Sequence, residues 1–432
     1  MSSTGALASG ASRNAPGALA HPVPAGMRDL LPEEAARHLQ LGRKMLRAFE
    51  LRGYELVSVP LFEFSDVVER GAGALEAHEV LRFVEPESGS VVSLRPDMTP
   101  QIARLVATRL AHVPGPVRLC YQGSVLRRRH ERARRHRQIP QVGLELIGEG
   151  EPEGDLEVLS AAAGAVRATG LSDFVIDLGH AGVATALVEP LEPARAREIL
   201  DALEVKDERE VARRAERYGL DSARRAALAE LPLLHGGVEV FARAERALGA
   251  TPAAPALQEL KRLFEAALRA ELAPSILVDL GETRDFEYYT GPLFQIHAEG
   301  PGSALGSGGR YDGLLARFGA ARPAVGFALR LDDVAWALEA AGLAAQAPVR
   351  VLLIGQAGEQ VSALHAQDLV AAQAPEHDAL AYAKAFRFSH CLGRDGNGWL
   401  LQDVRSGNQS LFGLDEFPRL VAQLKALDTP PL

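Results

Sequence analysis

At Gln141, Gly143 and Glu145 an amide and a carboxylate occupy alternate positions around a residue with no side chain. In an extended strand these three share one face, while Val142, Leu144 and Leu146 share the other. The apolar face packs. The polar face suits a small cationic ligand such as the amino group of an amino acid, because glutamine donates and accepts whereas ionised glutamate only accepts. A solvent-facing polar strand face has the same pattern. Upstream, Asp97 and Thr99 lie where Val91–Leu94 runs through Arg95-Pro96-Asp97-Met98 into Thr99-Pro100. Such a strand-to-helix junction holds side chains beside a cleft; a turn acid and a threonine cap look identical.

Three further clusters carry chemistry. Arg284 to Gly291, RDFEYYTG, sets an arginine ahead of Tyr288 and Tyr289, whose hydroxyls orient a polar ligand or whose rings pack at a core edge. Gly306 to Gly313, GSGGRYDG, contains Tyr311, and its glycines either admit a ligand close to the backbone or make a flexible turn. Pro323 to Ala337, PAVGFALRLDDVAWA, is a strand entering a helix whose Asp332 and Asp333 favour the positive dipole end.

The elements that must position these residues follow from periodicity and punctuation. Pro32-Glu33-Glu34 opens a helix that ends near Gly53, and Glu55–Leu61 reads as a strand. Two strands flank an arginine-rich stretch between Val117 and Gly148, as in an antiparallel hairpin with a long loop. Phe174–Leu178, Ile276–Leu280, Leu293–Ala298 and Val325–Leu331 are further strands, and residues 194–268 are an inserted helical subdomain. Strands so far apart in sequence building one sheet indicate an α+β fold, a mixed and mostly antiparallel sheet flanked by helices. Gln346–Pro348 reads as a linker to a small α/β domain over 349–432, with a strand Val349–Ile354, a helix Gln360–Ala372, a hairpin around Ser406-Gly407 and a last helix Asp415–Leu427.

With 432 residues, 47% hydrophobic and 24% charged, the chain is expected to fold as a globular protein of two or three domains. No apolar run approaches the ~20 residues that span a bilayer, so no membrane partner is expected. Residues 1–20 read as a disordered small-residue tail without signal-peptide features. Two distant cysteines, Cys120 and Cys391, suggest neither a disulfide nor a metal site and suit the cytoplasm. A net charge of −9 disfavours a generic nucleic-acid binder, although basic residues concentrate between Arg127 and Arg137.

GMRDLLPEEA at Gly26, SLRPDMTPQIAR at Ser93, the arginine-led hairpin ending in QVGLE, EYYTG, SGGRYDGL and PAVGFAL occur in an order that resembles the histidyl-tRNA synthetase catalytic domain, a class II synthetase fold, over about residues 21–345. The resemblance implies that the amino group of L-histidine is held by Asp97, Thr99, Gln141 and Glu145, and its imidazole near Tyr288, Tyr289 and Tyr311. It further implies that Arg127 faces the carboxylate or an adjacent phosphate, and that Arg284 is the arginine assisting carboxylate activation.

The nucleotide half departs from the synthetase pattern. Arg127-Arg128-Arg129 replaces Arg-x-Glu, and Arg330-Leu331-Asp332-Asp333 replaces Gly-Leu-Glu-Arg. An arginine that clasps the γ-phosphate becomes an acid. Losing a charge-assisted hydrogen bond costs ~1.5–3 kcal/mol, and an aspartate ~4 Å from a phosphate adds repulsion of order 4 kcal/mol at an effective dielectric of about 20. Histidine binding is expected to persist and adenylate formation to fail.

A synthetase domain of this kind is similar to the regulatory subunit family of ATP phosphoribosyltransferase, with Leu178-Gly179-His180-Ala181-Gly182 adding support. That resemblance implies no catalytic residue, cofactor or metal in this chain. Its partners are then the short catalytic phosphoribosyltransferase subunit and L-histidine, around a homodimer core in a hetero-oligomer. A divergent histidyl-tRNA synthetase and a histidine-binding paralogue with another partner are the alternatives. Residues 349–432, chiefly LQDVRSGNQSLFG, resemble a shortened anticodon-binding domain.

Overall fold

The computed structural model describes residues 23–72, 80–127, 136–283, 288–343, 348–355, 358–374, 378–396 and 398–428. The expected tail, most of the basic run including Arg128 and Arg129, and Arg284 lie outside the described residues. The chain divides into two compact units, Met1–Ala344 and Ala345–Leu432. No helix among the described residues is long and apolar enough to cross a membrane.

The first unit is organised by a sheet whose described strands run in the order Glu55–Leu56, Val117–Leu126, Gln138–Ile147, Ala324–Arg330, Gly306–Arg310, Pro292–His297, Val175–His180, Ser275–Asp279 and His235–Gly236. All neighbours are antiparallel except Glu55–Leu56 with Val117–Leu126 and Val175–His180 with Ser275–Asp279. This is an α+β architecture with a mixed, mostly antiparallel sheet.

Alternation along Gln138–Ile147 sorts the two faces. Val142, Leu144 and Leu146 enter one core with Met45 and Phe49 of the helix Pro32–Glu50 and Val158 and Leu159 of the helix Glu153–Ala168. Phe49 meets Phe327 edge-on, with ring centroids 5.6 Å apart. On the opposite face the helix Thr99–Arg109 sends Ile102 and Val106 into a second core with Tyr121, Tyr288 and Tyr311. The site residues emerge on this second face. Helices between Ala181 and Arg269 bury Leu203, Leu228 and Phe264 in the first core, so they extend the sheet's packing and share its interior.

Several sequence expectations are corrected. Glu55–Leu61 pairs only at Glu55–Leu56, and a separate strand, Phe62–Phe64, joins Val91–Leu94 and Arg82–Val84 in a small sheet. The glycine-rich stretch is no flexible turn: Gly306–Arg310 is an interior strand of the large sheet. A Cβ at Gly308 would crowd the Gly326 carbonyl and the Phe327 side chain, so low β-propensity there is offset by close packing.

In the second unit a sheet runs Val370–Gln373, Arg350–Leu353, His390–Asp395, Gly398–Asp403 and Gln409–Gly413. The expected helix Gln360–Ala372 breaks in two. Helix Gly358–His365 ends before Asp368, whose φ of +59° turns the chain, and Val370–Gln373 pairs in parallel with Arg350–Leu353. The helix Ala379–Ala385 and the strand His390–Asp395, which the sequence expectations do not include, complete an alternation of helices and strands in this unit.

Candidate functional site

Glu145 lies at the centre of the site because its strand is interior to the sheet and the facing strand presents glycine. Gly326 pairs with Glu145, and a Cβ there would overlap the Glu145 carboxylate. Fully buried, Glu145 accepts a hydrogen bond from Thr99 Oγ1 at 2.7 Å, one from the Tyr311 hydroxyl and a longer one from the Tyr121 hydroxyl at 3.4 Å. Thr99 is thus not the expected cap. Met98 occupies the cap position of Thr99–Arg109, and the threonine hydroxyl, in the first turn, is committed to Glu145.

Asp97 closes the other side. Its Oδ1 accepts from the Met98 amide at 2.7 Å, and its Oδ2 accepts from the Tyr288 hydroxyl at 2.8 Å. Among the described residues neither Asp97 nor Glu145 is ion-paired. Gln141 is buried and its Oε1 lacks a donor among the described residues. The Asp97 carboxyl and the unpartnered Gln141 amide oxygen therefore line one small cavity with the Glu145 carboxyl buried beside it, an acceptor-rich arrangement that suits a cationic donor.

The electrostatics follow from burial. Removal from water pushes the Glu145 carboxyl up to about 8, with Asp97 adding repulsion and the Tyr311 and Thr99 hydroxyls partly opposing the rise. Burial also raises the Tyr121, Tyr288 and Tyr311 hydroxyls well above the usual tyrosine value, so they remain donors. Tyr288 packs against Tyr289 and Tyr311 at centroid separations of 4.9 and 5.7 Å, which fixes the hydroxyls around the carboxyl groups.

Asp97, Thr99, Arg127, Gln141, Tyr288, Tyr289 and Tyr311 line one cavity beside Glu145, so the structure brings together the predicted residues it describes. Arg127 donates from Nε to the Pro96 carbonyl at 3.3 Å. Arg284 lies outside the described residues. Sequence reasoning missed Tyr121 as part of the site. It sits opposite Gly143 in the hairpin, and a Cβ at Gly143 would meet its hydroxyl at 2.5 Å; only the register would have revealed it.

The far wall carries the reversed charges. Arg330 pairs with Gln141 across the strands, lines the same cavity, and donates from Nε to Asp333 Oδ2 at 2.9 Å and from Nη2 to the Ala304 carbonyl at 2.5 Å. Asp333 is buried in the first turn of Leu331–Ala340, so its charge is compensated from within. Asp332 turns away, to Arg28 and His38. Arg330 and Asp333 thus occupy one another.

The chain matches the family described as Histidyl-tRNA synthetase over residues 26–334. It is 45% identical over 330 residues to the ATP phosphoribosyltransferase regulatory subunit of Anaeromyxobacter sp. (strain Fw109-5), covering 76% of this chain and 96% of that protein. Identity to the ATP phosphoribosyltransferase regulatory subunit of Moorella thermoacetica is 41% over 312 residues, covering 72% and 80%. Among solved structures, an ATP phosphoribosyltransferase regulatory subunit/histidyl-tRNA synthetase from Bacillus halodurans superposes with a TM-score of 0.76 at 27% identity, covering 87% of this chain and 98% of that one.

Proposed function

Because the chain belongs to the ATP phosphoribosyltransferase regulatory subunit family, built on the Histidyl-tRNA synthetase domain, we propose that it is a non-catalytic, L-histidine-binding subunit. In this reading it activates a separate short phosphoribosyltransferase subunit and returns end-product feedback to it at the first step of histidine biosynthesis. Its assembly is a homodimer core within a cytoplasmic hetero-oligomer.

The reading rests on a contrast between two adjoining cavities that Arg330 borders on both sides. In the first, Asp97 and Gln141, with Glu145 buried beside them, offer acceptors to an ammonium group. In the second, Asp333 stands where the synthetase motif carries an arginine and is paired to Arg330, which stands where that motif has glycine. A triphosphate entering there would meet a carboxylate and displace an ion pair, so the chemistry of activation is disfavoured while amino-acid binding is retained. Feedback requires that histidine bind one state of the complex better than another, since equal affinity shifts nothing.

The purified chain is expected to show no histidine-dependent pyrophosphate exchange. Mixed with the short catalytic subunit it should give phosphoribosyltransferase turnover that histidine lowers. Charging of tRNA by the chain alone, or an unchanged phosphoribosyltransferase rate, would overturn the proposal.

A further inference from the structure

A lysine occupies a backbone position that favours glycine. Lys206 follows the helix Pro193–Glu204 with a φ of +53°, the left-handed conformation that glycine usually supplies just past a helix end. A side chain kept there at a cost in strain points to a use for that side chain. The Lys206 ammonium donates to Oδ2 of Asp279, a buried carboxylate at the end of the strand Ser275–Asp279. We propose that Lys206 is a positioning residue that couples the helices between Ala181 and Arg269 to the tyrosine wall of the small cavity, so that occupancy of the cavity is felt in those helices. This inference deepens the amino-acid-binding reading above and rests on it.

The coupling runs through the segment from Asp279 to Pro292, which carries Tyr288 and Tyr289. Its beginning is held by the helical subdomain. Lys206 takes Asp279, whose Oδ1 in turn accepts from the Gly281 amide at 3.0 Å. The Leu280 amide donates to the Leu234 carbonyl at 3.0 Å, and Thr283 Oγ1 donates to the Leu200 carbonyl, within Pro193–Glu204, at 3.2 Å. A Cβ at Gly281 would come within 2.9 Å of the Leu231 carbonyl, so this turn is fitted closely against the subdomain. The far end of the segment is held there too. The Ala181 amide donates to the Gly291 carbonyl at 3.0 Å, and His180 pairs with Pro292.

Between these ties the Tyr288 hydroxyl reaches Asp97 at 2.8 Å. A shift of Tyr288 relative to Asp97 is passed to the ties, because close-packed segments change between discrete arrangements and do not deform smoothly. A ligand that binds the tied state better than the loosened one shifts the protein toward it, and by linkage the ties strengthen ligand binding by the same factor. Lys206 is the tie that can be cut at the surface, since its side chain is partly exposed while the others use main-chain groups or a short hydroxyl.

The test is hydrogen exchange on the full chain with and without saturating L-histidine, alongside calorimetry, for the wild type, Lys206→Gly and Lys206→Arg. Glycine takes the left-handed turn without strain, which offsets the lost ion pair, so Lys206→Gly should keep the wild-type unfolding midpoint. In the wild type, histidine should slow exchange of the amides in Pro193–Glu204 by about two- to fivefold, the range of one partly exposed ion pair. Lys206→Gly should lose that slowing and bind histidine about two- to fivefold more weakly, and Lys206→Arg should restore both. A purely structural lysine would lower the midpoint and leave the histidine-dependent slowing in place. Exchange that histidine leaves unchanged in the wild type although calorimetry detects binding, or full slowing and affinity in Lys206→Gly, would refute the coupling. Should Lys206→Gly not fold, Asp279→Asn removes the same charge pair from the other side and is expected to behave as Lys206→Gly does. Absence of histidine binding by the wild type would instead bring down the reading on which the inference stands.

Discussion

Histidine binding should be coupled to loss of a proton from Glu145. The carboxyl is buried among hydroxyl donors with no cation beside it among the described residues, and burial holds it at about 8. One pH unit below that value roughly ten in eleven molecules carry the proton. A ligand ammonium placed against the carboxyl favours the ionised form, so at pH 7 binding should release about 0.9 proton per site. If only the ionised form binds, the competent fraction rises from roughly one in eleven at pH 7 to one in two at pH 8, and affinity tightens about fivefold over that interval. Calorimetry in buffers of differing ionisation enthalpy reads the proton directly, and titrations at the two pH values read the affinity. Glu145→Gln should abolish the proton release and weaken histidine by roughly 10- to 100-fold, the loss of one charge-assisted hydrogen bond. The sign for the free protein is opposite. The fold keeps this proton up to about pH 8 whereas the unfolded chain loses it near the ordinary value of 4.5, so Glu145 lowers stability as pH rises through that window. Affinity that is flat from pH 7 to 8, with no proton released, would refute the reasoning.

Two other perturbations follow from the packing. Gly326→Ala inserts a methyl group against the Glu145 carboxylate and should cost about 1–3 kcal/mol of stability together with histidine binding, measured by denaturant titration and calorimetry. Arg310→Met strands the buried Asp155, whose two carboxylate oxygens both lie 3.0 Å from Arg310 Nε, and should cost about 3–5 kcal/mol in the same denaturant titration.

What was legible in the sequence was local. Alternation along Gln138–Ile147 separates Glu145 from Leu144 without reference to any other strand, and the Thr99-Pro100 pair marks where Thr99–Arg109 begins. The exchange of charges at Arg330 and Asp333 is visible as residue types, although their pairing is not. The helix Gln360–Ala372 failed because its apolar spacing continues across Asp368, where the backbone turns left-handed.

The sequence by itself determined which side chains can accept, donate or carry charge, and which share a strand face, since those properties depend on a residue and its near neighbours. Only the tertiary structure decided that Gly306–Arg310 is a strand, that Tyr121 belongs to the site, and that Glu145 is dry enough to hold its proton near neutrality. Thr99 and Tyr311 reach Glu145 from 46 and 166 positions away, and Gly326 makes room for it from a third strand. Burial and cross-strand register are properties of such distant partners, and no pattern confined to one segment encodes them.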